Sequence, residues 1–457
     1  MDTFAHLPAE NLLRPEGFVC ACGRRHIAGI RNLKIAHDAI LAVPVIVREL
    51  GATYPLVVCG PNSYKAAGEA VCRGLKEAGI PYKLHVIPQK KDERILPNEV
   101  AVGSVVLGFD PACDLILGVG SGVINDVCKV VGRAVGRPNM IVGTAPSMDG
   151  YASSSSAMEV NNIKLSLPEQ LPIAIVCDTG IMKEAPMRLL WAGLGDMMAK
   201  YTALCEWRIA HLVVDEYYCE ETAKLVRNSL AKVSAGAERV AQRDEASITS
   251  IADGLILSGL GMAFANVSRP ASGLEHYFSH CWEMMDIAKG RISDLHGIQV
   301  GIGTLLVLKI FRHLKTIRPS YERAVAAADA FDPVHWEATI RRVFSDTADG
   351  ILEMEKVAQK NERTGRLRRA RQIVDHWDSI MRILDEELPA YDTICSLMRH
   401  VGMPMFPKDI GLSTDEVINA FVCSRDIRDK YLTSSLIWDI GYMDEFAEWL
   451  RDELETI

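Results

Sequence analysis

Short apolar runs and amphipathic stretches take turns up to Asp178, and then the short runs stop. Pro55-Leu56-Val57-Val58-Cys59-Gly60 reads as a buried strand that ends at a turn. Ser63 to Gly79 reads as a helix, and Lys83-Leu84-His85-Val86-Ile87 predicts the next strand. Asp114 to Gly118 predicts another strand, followed by a helix from Val123 to about Gly136 and the strand Met140-Ile141-Val142. Ile173 to Cys177 closes the series. Strands and helices that alternate at this spacing predict a parallel sheet with helices on both faces. The stretch Asn161 to Pro172 interrupts the alternation and predicts a hairpin inserted before the last strand.

From Pro186 onward the pattern is long and amphipathic. Helices are expected over Leu189 to Arg208, Glu216 to Ala235, Glu245 to Val267, His296 to Leu314, and further to the C-terminus. The expected architecture is therefore an α/β, Rossmann-like nucleotide-binding domain at residues 1–184 and an all-α domain at residues 185–457. The basic run Arg363 to Arg371 has acidic neighbours on both sides and reads as a solvated helix face or loop.

Gly118-Val119-Gly120-Ser121-Gly122-Val123-Ile124-Asn125-Asp126 follows a strand and opens a helix. Glycines let the backbone turn tightly and approach a ligand, and a helix N-terminus offers N–H groups to a phosphate. The loop is neither a strict GxGxxG nor a P-loop, because its third glycine comes early and Lys129 is displaced. Thr144-Ala145-Pro146-Ser147-Met148-Asp149-Gly150, with Ser153 close behind, follows the next strand. Loops at strand C-termini are where open α/β sheets bind ligands. No acid follows Val58-Cys59-Gly60-Pro61-Asn62, where one would select NAD over NADP, so NADPH is open beside NADH.

His276 and His280 are four apart on one predicted helix, inside Ser268-Arg269-Pro270-Ala271-Ser272-Gly273-Leu274-Glu275-His276-Tyr277-Phe278-Ser279-His280. That spacing stacks them on one face, and His296 follows downstream. Asp196 sits in the apolar helical run Trp191 to Lys200, where a carboxylate needs a cation or a metal. Lys200, one turn on, is the simple partner. An Asp with imidazoles also suits a divalent ion with a position open to substrate.

Composition narrows the classes. At 457 residues the chain is too long for one simple core. A net charge of −9 argues against nucleic acid and against a polybasic membrane contact. No run reaches the roughly 18 uninterrupted apolar residues of a membrane span. No secretory signal is apparent at Met1, so a cytoplasmic protein is expected. The twelve cysteines run from Cys20 to Cys423 without framework spacing, which fits reduced, buried thiols. Cys20-Ala21-Cys22 and His26 form a local cluster. A zinc ribbon needs a second pair at matching spacing and none follows, so the cluster reads as structural.

The motifs GSGVIND, TAPSMDGYAS, GDMMAK, SRPASGLEHYFSH and LHG occur in this order between Asp114 and about Gly301. On them the chain resembles the sn-glycerol-1-phosphate dehydrogenase family, its bacterial arabinose-operon branch more than its archaeal one. That family lies within the superfamily of iron-containing alcohol dehydrogenases, glycerol dehydrogenases and dehydroquinate synthases. The resemblance implies a dehydroquinate synthase-like fold and a metal held by Asp196, His276 and His296. It implies that His280 contacts substrate instead of metal, that Asp149 binds substrate, and that Asp196 also touches it, which makes His280 and Asp196 the expected catalytic pair. It implies cofactor contacts at Gly122, Val123, Ile124, Asn125, Asp126, Thr144, Ala145, Pro146, Ser147 and Ser153. The implied reaction is reversible hydride transfer between NAD(P)H and dihydroxyacetone phosphate, giving sn-glycerol 1-phosphate for phospholipid biosynthesis. One divalent metal per subunit is expected, zinc or nickel, with iron also compatible. Lys164, Lys200 and Arg269 are the cations in position for the substrate phosphate. A glycerol or polyol dehydrogenase is the alternative on this scaffold, followed by a dehydroquinate synthase-like cyclase. Cyclases of that type usually place Glu where this chain has Asp196. A homodimer or higher homo-oligomer is expected, with a small-molecule substrate.

Overall fold

The computed structural model of the chain describes residues 1–90, 93–161, 163–168 and 171–456. Near the N-terminus β1 (Phe18–Val19) and β2 (Arg25–His26) form an antiparallel hairpin. The main sheet is built from β3 (Asn32–Ala36), β4 (Pro55–Cys59), β5 (Lys83–Val86), β6 (Leu115–Gly120), β7 (Asn139–Gly143) and, after a hairpin, β10 (Ala174–Asp178). All its pairings are parallel, in the order β3-β10-β7-β6-β4-β5. The inserted hairpin is β8 (Ser155–Val160) and β9 (Ile163–Pro168), which turns at Asn161 with φ 52°. It starts earlier than the sequence pattern suggests, and Asn162, Glu169 and Gln170 of the predicted hairpin lie outside the described residues.

Every residue of β4, β6, β7 and β10 is buried. Helices cover both faces of a parallel sheet, so its inner strands read as unbroken apolar runs. β3 does not, because it is an edge strand with a mixed burial pattern, and the sequence pattern misses it.

The helices that bear on the site are α1 (Gly122–Val135), α2 (Met187–Met198), α3 (Lys200–Val214), α4 (Glu220–Gly236), α5 (Glu245–Ala265), α6 (Leu274–Ala288) and α7 (His296–Leu314). The helix expected over Leu189 to Arg208 is two, α2 and α3, interrupted at Ala199. Contacts divide the chain into two compact units, Met1–Met197 with Glu220–Ser268, and Met198–Cys219 with Arg269–Ile457. A single cut after residue 184 does not describe these units, because α4 and α5 fall in the unit that holds the sheet, with α5 against β3 and α4 against α5. The reason is burial: α5 is apolar on all sides and packs on α4 and on the Asp149–Ala152 turn. α5 and α7 are long and apolar enough to cross a membrane, yet 72% and 89% of their apolar windows are buried, as in core helices.

The basic run is solvated at Arg363, Arg368 and Arg371, as expected, but not throughout. It forms the helix Arg363–Asp375, and Arg366 is buried with its guanidinium 4.1 Å from the Trp438 ring centroid. Arg369 holds Asp439 through two bonds of 2.8 Å. Paired and stacked, these guanidiniums cement the helical unit.

Candidate functional site

In the sheet unit, the chain runs from β4 outward to the edge strand β5, then returns to β6 on the other side of β4. That reversal is the topological switch point, and ligands bind in the crevice outside it. The glycine loop leaves β6 there. A Cβ on Gly120 would lie 2.4 Å from Ile124 Cγ1, so only glycine lets α1 begin this close to the strand. The spacing fails the usual fingerprint because the loop follows β6 and not the first strand of the sheet, yet the topology brings it to the crevice.

Lys129 is almost completely buried. Its Nζ donates to the carbonyls of Gly150, Ser153 and Ser155 at 2.7, 2.9 and 2.9 Å. Asn125 Nδ2 donates to the Gly150 carbonyl at 3.2 Å. Asp126 Oδ2 accepts the Ala157 N–H at 3.3 Å. These side chains of α1 therefore shape the second loop, leaving the backbone of Gly122 to Ile124 at the helix start. Burial raises the Asp126 pKa, opposed by the charge of Lys129. In the second loop, Ser147 N–H donates to the Ala145 carbonyl at 3.0 Å, and the Tyr151 hydroxyl donates to the same carbonyl at 2.8 Å. Ser153 Oγ and Ser155 Oγ lie 3.0 Å apart. Thr144, Ala145, Pro146, Ser147 and Ser153 thus share one sheet end with the glycine loop, since β6 and β7 are parallel neighbours.

The two acids of this unit are linked. Asp196 Oδ2, fully buried on α2, accepts the Asp149 N–H at 3.0 Å. Asp149 Oδ2 accepts the Ser258 hydroxyl from α5 at 2.9 Å. α2 reaches the loop through Gly193, whose imagined Cβ would meet the Pro146 carbonyl oxygen at 1.8 Å.

In the helical unit, α6 and α7 pack together and gather the three histidines. Ring centroids of His276 and His296 are 5.3 Å apart, and those of His280 and His296 5.6 Å. His276 Nδ1 lies 2.8 Å from Glu275 Oε1. Glu275 Oε2 accepts the Thr202 hydroxyl at 2.6 Å, and Oε1 accepts the Gly273 N–H at 2.6 Å. Burial disfavours charge on Glu275, but the bonds from His276, Thr202 and Gly273 hold its pKa below the ordinary carboxylate range. An ionised Glu275 fixes the His276 proton on Nδ1 and the lone pair on Nε2, as metal-binding histidines require. Burial and the charge of Glu275 raise the pKa of the neighbouring Glu206.

His296 Nδ1 lies 3.0 Å from Ser279 Oγ, which itself donates to Gln299 Oε1 at 2.8 Å. His280, Glu283 and His296 bring donor atoms within 4.8 Å of one another, a second grouping that could hold a metal. Sequence reasoning passed over Glu275 and Glu283, although acids inside the buried stretch Leu274 to Met285 are a signal for either role.

Two more basic side chains, Arg428 and Lys430, were not on the sequence list for the phosphate. Burial, and then the charge of Arg428, push the His280 pKa well down. Burial also depresses Lys430, with Arg269 and Arg428 acting on it. Lys430 Nζ donates to the Ser272 carbonyl at 3.1 Å and lies 5.8 Å from the Tyr277 ring centroid. Of the expected cations, Arg269 Nε is committed to Glu216 Oε1 at 2.6 Å, and Lys200 Nζ donates to the Ala271 carbonyl at 3.1 Å. Lys164 is on β9 in the other unit, where its charge acts on Asp126.

The family model for iron-containing alcohol dehydrogenases matches residues 34–186. The glycerol-1-phosphate dehydrogenase (NAD(P)+) of Halalkalibacterium halodurans is 32% identical over 295 residues, covering 64% of this chain and 74% of that protein. The protein of the same name from Pyrococcus horikoshii is 33% identical over 304 residues, covering 66% of this chain and 85% of that one. The Bacillus subtilis protein of that name is 28% identical over 375 residues, covering 82% of each. Among solved structures, glycerol dehydrogenase from Schizosaccharomyces pombe superposes with a TM-score of 0.58 at 15% identity, over 94% of this chain and 92% of that one. A 1,3-propanediol oxidoreductase superposes with a TM-score of 0.58 at 17% identity, over 93% and 98% of the two chains. At such identities the two structures speak for the fold alone.

Proposed function

The chain belongs to the glycerol-1-phosphate dehydrogenase family of the iron-containing alcohol dehydrogenases, and on that premise we propose that it reduces dihydroxyacetone phosphate reversibly to sn-glycerol 1-phosphate with NAD(P)H. The observation that carries the choice of a phosphorylated substrate is the guanidinium of Arg428, whose charge acts on both His280 and Lys430. A polyol without phosphate has no use for it.

The glycine loop and the start of α1 suit a pyrophosphate, so we assign the cofactor to Gly122 to Ile124, Thr144 to Ser147 and Ser153. Asn125 and Asp126 keep the loop in shape. By their motifs Asp196, His276 and His296 are the metal ligands, with zinc or nickel as the ion. The short donor distances favour a second reading in which His280, Glu283 and His296 hold it. Metal content separates the two: Asp196→Asn loses the ion under the first reading and Glu283→Gln under the second. When bound, the ion supplies Lewis-acid polarisation of the ketone oxygen, and the nicotinamide supplies the hydride.

The chain's own residues orient the triose and move the proton. Arg428 supplies the charge that holds the phosphate, which fixes C2 for transfer. Asp149 and Asp196 accept hydroxyls of the substrate. His280, neutral at neutral pH, takes the alcohol proton during oxidation and returns it during reduction. A solvent isotope effect unchanged in His280→Ala removes that role. A homodimer or larger assembly in the cytoplasm accompanies this reading.

The test is NADH and NADPH oxidation by metal-stripped protein reloaded with zinc, nickel or iron. Dihydroxyacetone phosphate should be turned over at least a hundredfold better than dihydroxyacetone, as judged by kcat/KM. A preference for dihydroxyacetone transfers the protein to polyol oxidation.

A further inference from the structure

The N-terminal hairpin carries chemistry that the reductase reaction does not use. β1 and β2 pair Phe18 with His26 and Val19 with Arg25. Between them Gly23, at φ 83°, closes a turn in which Gly23 N–H donates to the Cys20 carbonyl at 3.1 Å and Cys20 N–H to the Arg24 carbonyl at 3.0 Å. This knuckle folds Cys20 and Cys22 back toward His26. Their side-chain donor atoms lie within 4.8 Å of one another, and Cys22 Sγ is 3.3 Å from His26 Nε2. His26 is fully buried and Cys20 nearly so, while Cys22 is partly open.

The imidazole is presented as a ligand. His26 Nδ1 lies 2.8 Å from the Phe264 carbonyl oxygen, which can only accept. The proton is therefore on Nδ1 and the lone pair on Nε2, the atom that faces the thiols. The rings of Phe4 and Phe264 hold the imidazole in place, with centroids at 5.3 and 5.6 Å.

We propose that Cys20, Cys22 and His26 form a second metal site, of zinc type, that staples the N-terminal hairpin to the end of α5. Thiolate and imidazole donors suit zinc, with the fourth position left to water or a further donor. Binding converts two thiols to thiolates and releases their protons to solvent, with no change of oxidation state. The expectation of a merely structural cluster is thereby replaced by a structural metal.

The full-length protein, stripped by chelation under reducing conditions, should be titrated with cobalt(II). Every ligand considered for the catalytic ion is nitrogen or oxygen, so thiolate-to-cobalt charge-transfer absorption reports the hairpin site alone. The expected result is about one equivalent of thiolate-bound cobalt, displaced by zinc, absent from Cys22→Ser and retained in His276→Ala. Because Cys22 is partly open, Cys22→Ser should still fold, and circular dichroism of the metal-free variant checks this. The proposal is overturned if wild-type protein shows no charge-transfer band, if the band survives in a folded Cys22→Ser, or if Cys20 and Cys22 form a disulfide after reductive purification.

Discussion

At the residue scale, buried charged side chains hold the groups of the proposed site in place. Glu275 sets the tautomer of His276 through a 2.8 Å contact. Glu275→Gln keeps the shape but weakens that control, and catalytic-metal affinity should fall roughly 10–100-fold without loss of fold. Metal-competition titration measures it. Lys129 offers the same lesson in the sheet unit. Its ammonium satisfies three carbonyls of the second loop, so Lys129→Met should cost on the order of 3 kcal/mol and raise the KM for NADH. Urea melts and cofactor saturation curves would show both. The sequence placed Lys129 outside a P-loop without saying what it serves, because a helical lysine after a glycine loop reads the same whichever way it points.

At the scale of elements, close approach decides what can change. α2 reaches the Thr144 to Ser147 loop at Gly193, 1.8 Å from the Pro146 oxygen once a Cβ is added. Gly193→Ala must push helix and loop apart, at a cost of about 1–3 kcal/mol or more. The same change should weaken NAD(P)H binding more than dihydroxyacetone phosphate binding, since the displaced loop is the one proposed to contact the cofactor. Fluorescence titration with each ligand tests this. Glu416, which opens no site, ties the helix Thr414–Cys423 to the chain after α6. Burial works against its charge, but bonds from Lys289, Ser413 and Arg291 hold its pKa at about 2. Its folded pKa lies below the unfolded value, so its stabilisation is present above pH about 4.5 and lost as pH falls toward about 2. Chemical melts at pH 6 and pH 3 should therefore differ by less in Glu416→Gln than in the wild type.

At the scale of the whole molecule, each compact unit holds its own part of the proposed chemistry, and ligands should report on each. NADPH at a hundred times its Kd should stabilise the protein by about 2.7 kcal/mol if it binds only the folded chain. Absence of acid after β4 also predicts NADH and NADPH rates within about tenfold of each other. Steady-state rates at saturating triose phosphate check the second prediction, and melting curves the first.

The sequence by itself determined the α/β-then-helical order, the two polar loops at strand ends, the histidine pair and Asp196. These are local matters: period-2 and period-3.6 burial, turn residues, and the cost of a lone carboxylate in an apolar run are all written within a few residues. Only the tertiary structure decided that the glycine loop sits at the switch point, that Lys129 serves the loop, that Glu275 orients His276, and that α4 and α5 belong with the sheet. It also decided that Cys20, Cys22 and His26 converge beneath Phe264. Those facts depend on where the folded backbone aims each group. Neighbours such as Glu275 and His276 do not reveal their contact in the sequence, and partners as far apart as His26 and Phe264 leave no periodic trace.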